Sequence, residues 1–199
     1  GKITILGEFL AVAAVVMCIT FVFVDLGRPD RVMNVLLHPS PTSILFWDMI
    51  VLNGYLLLNI VTGWTVLESD RMGVPPPQWV KPLIILSIPW AISIHTVTAF
   101  IYAGLPGRGV WLTAIMAPRF LASAFASGPA LLILFCLLLR RLTGFDAGEK
   151  AIQTLAKIVA YALATSIFFV LVELFTTFYG QIPGHVDHFR YLFLGLEGH

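Results

Sequence analysis

Asp48, His95, Arg119 and Glu173 each lie inside a different long apolar run of this 199-residue sequence. Imidazole changes charge near neutral pH, carboxylates accept and release protons, and a guanidinium offers five donors in a fixed fork. Together they could hydrogen-bond the oxygens of a small polar group and carry its protons away. The spacing of their neighbours supports inward-facing stripes at helical period. Asp48, Leu52, Tyr55, Asn59 and Thr62 follow steps of four, three, four and three, and His95 shares a face with Thr98 and Tyr102. Arg119, Ser123 and Ser127 run beside Ala122, Ala126 and Ala130, a small-residue seam suited to close helix contact. Glu173 shares its face with Ser166, Phe169, Thr176 and Thr177.

The elements that must position these residues follow from composition. Apolar residues make up 58% of the chain, charged residues 12%, and mean hydropathy is +0.91. A soluble domain carries about twice that charged fraction, so the chain reads as an integral membrane protein. A helical span needs about 20 apolar residues, and five segments qualify, at about 5–25, 44–66, 82–103, 112–139 and 152–178. Runs of this length exclude membrane strands, which need about ten residues of alternating pattern. The expected fold is all-α, a polytopic transmembrane helix bundle forming one domain over 1–199. Breakers punctuate the connections, and Pro89 and Gly128-Pro129 fall inside spans, where neighbouring helices can satisfy freed carbonyls. Gly1 stands where an initiator Met would, and no charged n-region precedes the first run. That run therefore reads as a true span, and the chain as a piece of something longer.

Loop charges orient the bundle. The residue-1 face receives Lys2, Arg71, Lys81, Arg140, Arg141, Lys150 and Lys157, and the opposite face Arg28, Arg31, Arg108, Arg119 and Arg190. Positive residues favour the cytoplasm, which predicts a cytoplasmic residue-1 face in the inner membrane. Asp48, His95, Arg119 and Glu173 then all lie in the extracytoplasmic half. The polar loop DLGRPDRVMN between the first two spans crowds Asp25, Arg28, Asp30 and Arg31 on that same face. Blander roles stand beside each of these. Pro118 suits a first helical turn, which would leave Arg119 among headgroups; Asp48 could cap its helix; His95 could be a core histidine held by Thr96 or Thr98. Glu173 lies deep enough that an unpaired carboxylate would cost a few kcal/mol. His185 and His188 sit in a Gly/Pro loop and read as solvated.

Several chemistries drop out. With one histidine in the spans, this chain cannot hold a haem between two membrane histidines. No CxxC, CxxCH or ferredoxin-type cysteine run supports a covalent haem or an iron–sulfur cluster, and Cys18 and Cys136 are isolated in apolar runs. No metal site, basic run or Gly-rich phosphate loop is present, so nucleic acid is not an expected partner. A membrane pocket lined by a histidine, carboxylates, an arginine and hydroxyls suits a quinone head group, whose two oxygens need hydrogen bonds and whose reduced form sheds two protons.

The run DLGRPDRVMN followed by SPTSILFWD resembles the signature of the NrfD/PsrC (polysulfide reductase membrane subunit) family. The segment SIPWAISIHTVTAFIYAGLPGRGVWLTAIMAPRFLASAFASGPA is similar to the subgroup found in quinone reductase, Hmc-type and alternative complex III assemblies. The resemblance covers roughly residues 10–140 and implies a subunit of about eight to ten helices, of which this chain is part. It implies a cofactor-free chain that binds menaquinone or another quinone as substrate near the extracytoplasmic face. It further implies an external iron–sulfur partner subunit, and beyond it a molybdopterin enzyme, a hydrogenase or a multihaem cytochrome. On this reading His95 and Glu173 are catalytic. Asp48, Tyr55, Thr98 and Arg119 join His95 around the quinone, Asp48 and Glu173 form the proton path, and Asp25, Arg28 and Arg31 meet the partner. The chain departs from alternative complex III subunits at Ile101, where those carry an Asp six residues after the histidine.

Two functions of other classes compete, a transporter or proton-channel half and a structural membrane anchor. A through-path would need polar residues in the residue-1 half, where Asn59, Thr62, Tyr161 and Lys157 offer little.

Overall fold

A computed structural model describes residues 2–105, 107–182 and 184–195. All regular structure among them is helical. Helix α1 (Lys2–Asp25) leads through a 3-10 turn (Pro29–Arg31) and the single turn α2 (Asn34–Leu37) into α3 (Ile44–Met72). Then come α4 (Val80–Ala103), a second 3-10 turn (Gly109–Trp111), α5 (Met116–Thr143), α6 (Glu149–Gly180) and the short α7 (His185–Leu194). Five of these, α1, α3, α4, α5 and α6, are long and apolar enough to cross a membrane, and the chain is a multi-pass membrane protein. Two helices end where the sequence allows a left-handed residue. Gly73 (φ 67°) closes α3, its N–H and that of Val74 satisfying the Asp70 and Ser69 carbonyls, and Gly144 (φ 71°) closes α5.

The long helices pack in sequence, α1 on α3, α3 on α4, α4 on α5, and α5 most extensively on α6, with a lighter contact between α1 and α5 closing a four-helix ring. Lipid tails are as apolar as leucine, so burial of apolar area does not drive this association; close packing and polar contacts do. The distribution of residues agrees. Asp48, Asn59, Thr62, Ser69, Glu173 and Thr177 are buried, while Phe21, Leu57, Ile85, Phe168 and Phe175 are exposed on the outside of the bundle. Gly54 shows how closely α3 and α4 approach. The Trp90 ring occupies the space its side chain would fill, and the Trp90 indole N–H donates to the Val51 carbonyl at 2.9 Å. Pro89 and Pro129 lie inside α4 and α5, as the apolar runs around them required.

The first turn of α5 differs from expectation. Leu112 to Ile115 belong to the apolar run but lead out of a 3-10 turn, and the helix starts at Met116. Pro118 therefore sits in the first turn, where its missing N–H leaves nothing unpaired, and Arg119 donates its backbone N–H to Ile115.

Candidate functional site

Helices α3, α4 and α5 enclose a cavity of about 330 Å³ lined by Tyr55, Ser87, His95, Leu121, Phe125 and Pro129, with small and aliphatic residues of α4 between them. His95 lies eight residues before the end of α4 and Tyr55 eleven residues after the start of α3. At 1.5 Å per residue both stand roughly 12–17 Å from the face opposite residue 1, near mid-membrane. Thr96 and Thr98, the expected partners of a core histidine, are engaged elsewhere. Thr96 donates to the Ile92 carbonyl, and Thr98 donates to Asp48 Oδ1 at 3.0 Å. Among the described residues the imidazole has no side-chain hydrogen-bond partner.

The two carboxylates of this half are held in separate pairs. Asp48 is buried between α3 and α4, where it accepts the Thr98 hydroxyl; it also forms the polar floor of a second, mostly apolar cavity of about 290 Å³ between α1, α2 and α3. Glu173 is buried on α6 and forms an ion pair with Arg119 of α5. Although α5 starts late enough to place Arg119 in its first turn, the side chain reaches inward. Next to Arg119, Phe120 stacks on Tyr102 with centroids 5.6 Å apart. Tyr102 also meets Trp111 edge-on at 5.0 Å, and Arg108 lies over the Trp111 ring at 5.2 Å. This aromatic stack ties the end of α4 to the entry of α5. Ser123 and Ser127 face away from the bundle, so only the alanines of the expected seam take part in packing.

The loop residues Asp25, Arg28 and Arg31 are exposed. Arg28 pairs with Asp30 at 3.3 Å in open solvent, an arrangement that adds little stability and leaves the charges accessible. His185 and His188 stand in the first turn of α7 rather than in a loop. His188 contacts the Gly184 carbonyl through Nδ1.

The apolar runs also concealed one ionisable residue. Glu8 of α1 is half-buried and accepts the Thr62 hydroxyl at 3.2 Å. A third cavity, about 790 Å³, lies beside it in the residue-1 half. Thr4, Glu8 and Ala11 all line it, and their spacing of four and three was the available signal. Tyr161 and Lys157, polar residues of the same half, face outward.

The profile of the family described as "Polysulphide reductase, NrfD" matches residues 1–193. The chain belongs to the NrfD family. Similar to this NrfD chain is a protein of Halobacterium salinarum assigned as the membrane subunit of a dimethyl sulfoxide reductase, 28% identical over 83% of this chain and 42% of its own length. The Hdr-like menaquinol oxidoreductase integral membrane subunit of Archaeoglobus fulgidus is 24% identical over 95% of this chain and 46% of its own. A selenate reductase subunit of Mesobacillus selenatarsenatis is 25% identical over 67% and 38%. The chain thus spans less than half the length of the curated relatives it matches. No solved structure is significantly similar to it. In this NrfD chain Ile101 is half-buried on α4. Helix α4 carries no acidic residue of its own, so an acidic neighbour of His95 has to come from another helix.

Proposed function

We propose that this NrfD chain is the quinone-interacting part of a membrane subunit in a respiratory oxidoreductase complex. The observation that carries this reading is the cavity between α3, α4 and α5, on which His95 and Tyr55 border from two helices. Ligand sites are typically apolar clefts of about 300–1,000 Å³ with a few converging polar groups, and a quinone ring asks for a donor or acceptor at each oxygen. In the oxidising direction a quinol gives up two electrons and two protons. His95 accepts one proton and holds the oxygen it leaves, and the Tyr55 hydroxyl relays the second, taking a proton from the other oxygen as it gives its own to water in the adjoining cavity. Thr98 and Asp48 fix the α3–α4 interface just above the ring. Arg119 and Glu173 brace α5 against α6 so that the third wall keeps its shape. The electrons pass to an iron–sulfur subunit docked on the exposed Asp25, Arg28 and Arg31 face, and from there to a molybdopterin enzyme or multihaem cytochrome. The names of the relatives, a menaquinol oxidoreductase subunit and subunits of two reductases, support a menaquinone-type substrate and external redox partners.

The test is His95→Phe in the intact complex, with a short-chain menaquinol analogue as donor. Ring volume is roughly conserved, so the complex assembles. Quinol-dependent reduction of the external partner is expected to fall by at least about a hundredfold, the lower range for loss of a positioned proton acceptor. Normal turnover would make the histidine a packing residue and remove the proposal.

A further inference from the structure

We propose that the cavity beside Glu8 is a proton port between the residue-1 face and the quinone chamber, with Glu8 as the carboxyl group that exchanges protons in it. This rests on the quinone reading of the His95 cavity. Glu8 lies half-buried within the apolar helix α1. An ionisable group inside a spanning helix is costly and marks a functional site by default. Glu173, in the other half, has a cationic partner. Glu8 has none among the described residues; it receives only the Thr62 hydroxyl at 3.2 Å. That hydroxyl is already committed to the Leu58 carbonyl at 2.7 Å, so the contact to Glu8 is the weaker branch of a shared donor. Bracing α1 against α3 does not require a carboxylate for so slight a bond. Close approach there is already provided by Gly63, where an added Cβ would lie 3.2 Å from the Glu8 Cβ.

The surroundings suit water. The cavity is an open cleft bordered by α1, α3, α4 and α5 that reaches the first turns of α6, where Lys150 and Thr154 line it. A bound water needs two to four polar partners, and Thr4, Glu8, Asn59 and Thr154 supply them. Tyr55 and Ser87 line both this cavity and the His95 cavity. Tyr55 thus stands at the junction between the two cavities, while the Ser87 hydroxyl donates to the Ile84 carbonyl at 2.8 Å. In the oxidising direction a proton leaving His95 passes to the Tyr55 hydroxyl as that hydroxyl gives its own toward Glu8, and Glu8 releases it to water beside Lys150; in the reducing direction the same groups deliver it. The titratable side chains that face Glu8 across the cavity are Tyr55 from α3 and Lys150 from α6. Helices α4 and α5 contribute Ser87 and Leu132.

The test uses the intact complex in proteoliposomes with the menaquinol analogue and a pH-sensitive dye on each side. Glu8→Gln is expected to bind the analogue as the parent does, to turn over at least about tenfold more slowly, and to lose the pH change on the residue-1 side. Glu8→Asp is expected to restore most of the rate. If Glu8→Gln retains full turnover with unchanged proton delivery while His95→Phe is inactive, the port is wrong and the quinone site stands. If His95→Phe is also active, the quinone reading itself falls and the port with it. A second measurement does not depend on Glu8 variants assembling. Ala11→Cys, in a Cys18→Ala/Cys136→Ala background, is expected to react with a charged thiol reagent supplied from the residue-1 side and not from the other. No reaction from that side overturns the port.

Discussion

The Arg119–Glu173 pair makes a demand that is asymmetric between its members. Glu173 has 9% of its side chain exposed, Arg119 31%. Glu173 lies seven residues before the end of α6, about 10 Å inside the helix terminus, whereas Arg119 lies three residues into α5, about 4.5 Å from its start. Arg119→Ala leaves a carboxylate buried without a partner, for which a loss of about 3–5 kcal/mol is expected. Glu173→Gln leaves a guanidinium that can extend along its stem to the headgroup layer, so its cost is expected to be about 1–2 kcal/mol. For a chain of this size 1 kcal/mol moves a thermal midpoint by about 2–4 °C. The first variant therefore melts of order 10 °C lower and the second only a few degrees. Combining the two removes both charges, and the double variant is expected to be more stable than Arg119→Ala alone, with a coupling of about 1–3 kcal/mol. Thermal unfolding of the detergent-solubilised subunit, followed by exposure of Cys136 to a thiol dye, reads all three. Cys136 is buried in α5, the helix the pair holds. Equal losses for the two single variants, or strict additivity in the double, would refute the view that the pair compensates a buried Glu173 charge.

Two further outcomes are expected. Gly54→Ala must displace the Trp90 ring from α3 and weaken its bond to the Val51 carbonyl; a loss of about 1–3 kcal/mol is expected, visible in the same thermal assay, whereas the open site at Gly128 should tolerate alanine. For sidedness, Pro41→Cys in intact cells should react with an impermeant thiol reagent and Pro76→Cys should not; the reverse pattern would turn the bundle over and place the exposed Asp25, Arg28 and Arg31 surface in the cytoplasm.

The five long helices were legible because each apolar run exceeds what a span requires and ends in residues that stop a helix, such as Gly73 and Gly144. The inward stripe of α3 was legible from spacing, and Asp48, Leu52, Asn59 and Thr62 are indeed buried. Partner choice was not. Spacing shows which residues share a face of one helix, but which face meets which neighbour depends on helix order and rotation. Asp48 with Thr98 and Arg119 with Glu173 are relations between helices. The start of α5 was hidden because hydropathy cannot distinguish Leu112–Ile115 in a loop at the membrane edge from the same residues in a helix. The ten-residue α7 was missed because it is too short to cross a bilayer and lies in a segment rich in turn residues.

The grouping of four ionisable residues at one level suggested a single site; in the structure Asp48 accepts from Thr98, Arg119 pairs with Glu173, and His95 borders a cavity. A side chain that must carry a proton needs a partner it can leave, since a group tied to a fixed counter-charge or hydroxyl gives up that bond each time it changes state. Asp48 and Glu173 have such ties, to Thr98 and to Arg119, between helices whose separation those ties help set. His95 and Glu8 are held more loosely: among the described residues one borders a cavity without a side-chain partner, the other shares the Thr62 hydroxyl with a backbone carbonyl, and Tyr55 lines both of their cavities. In a bundle held by polar contacts rather than by apolar burial, the route proposed above runs through the loosely held groups. On that ground the proton route is expected to follow α3 and α1 toward the residue-1 face, through the half of the membrane whose polar residues looked too few for a path.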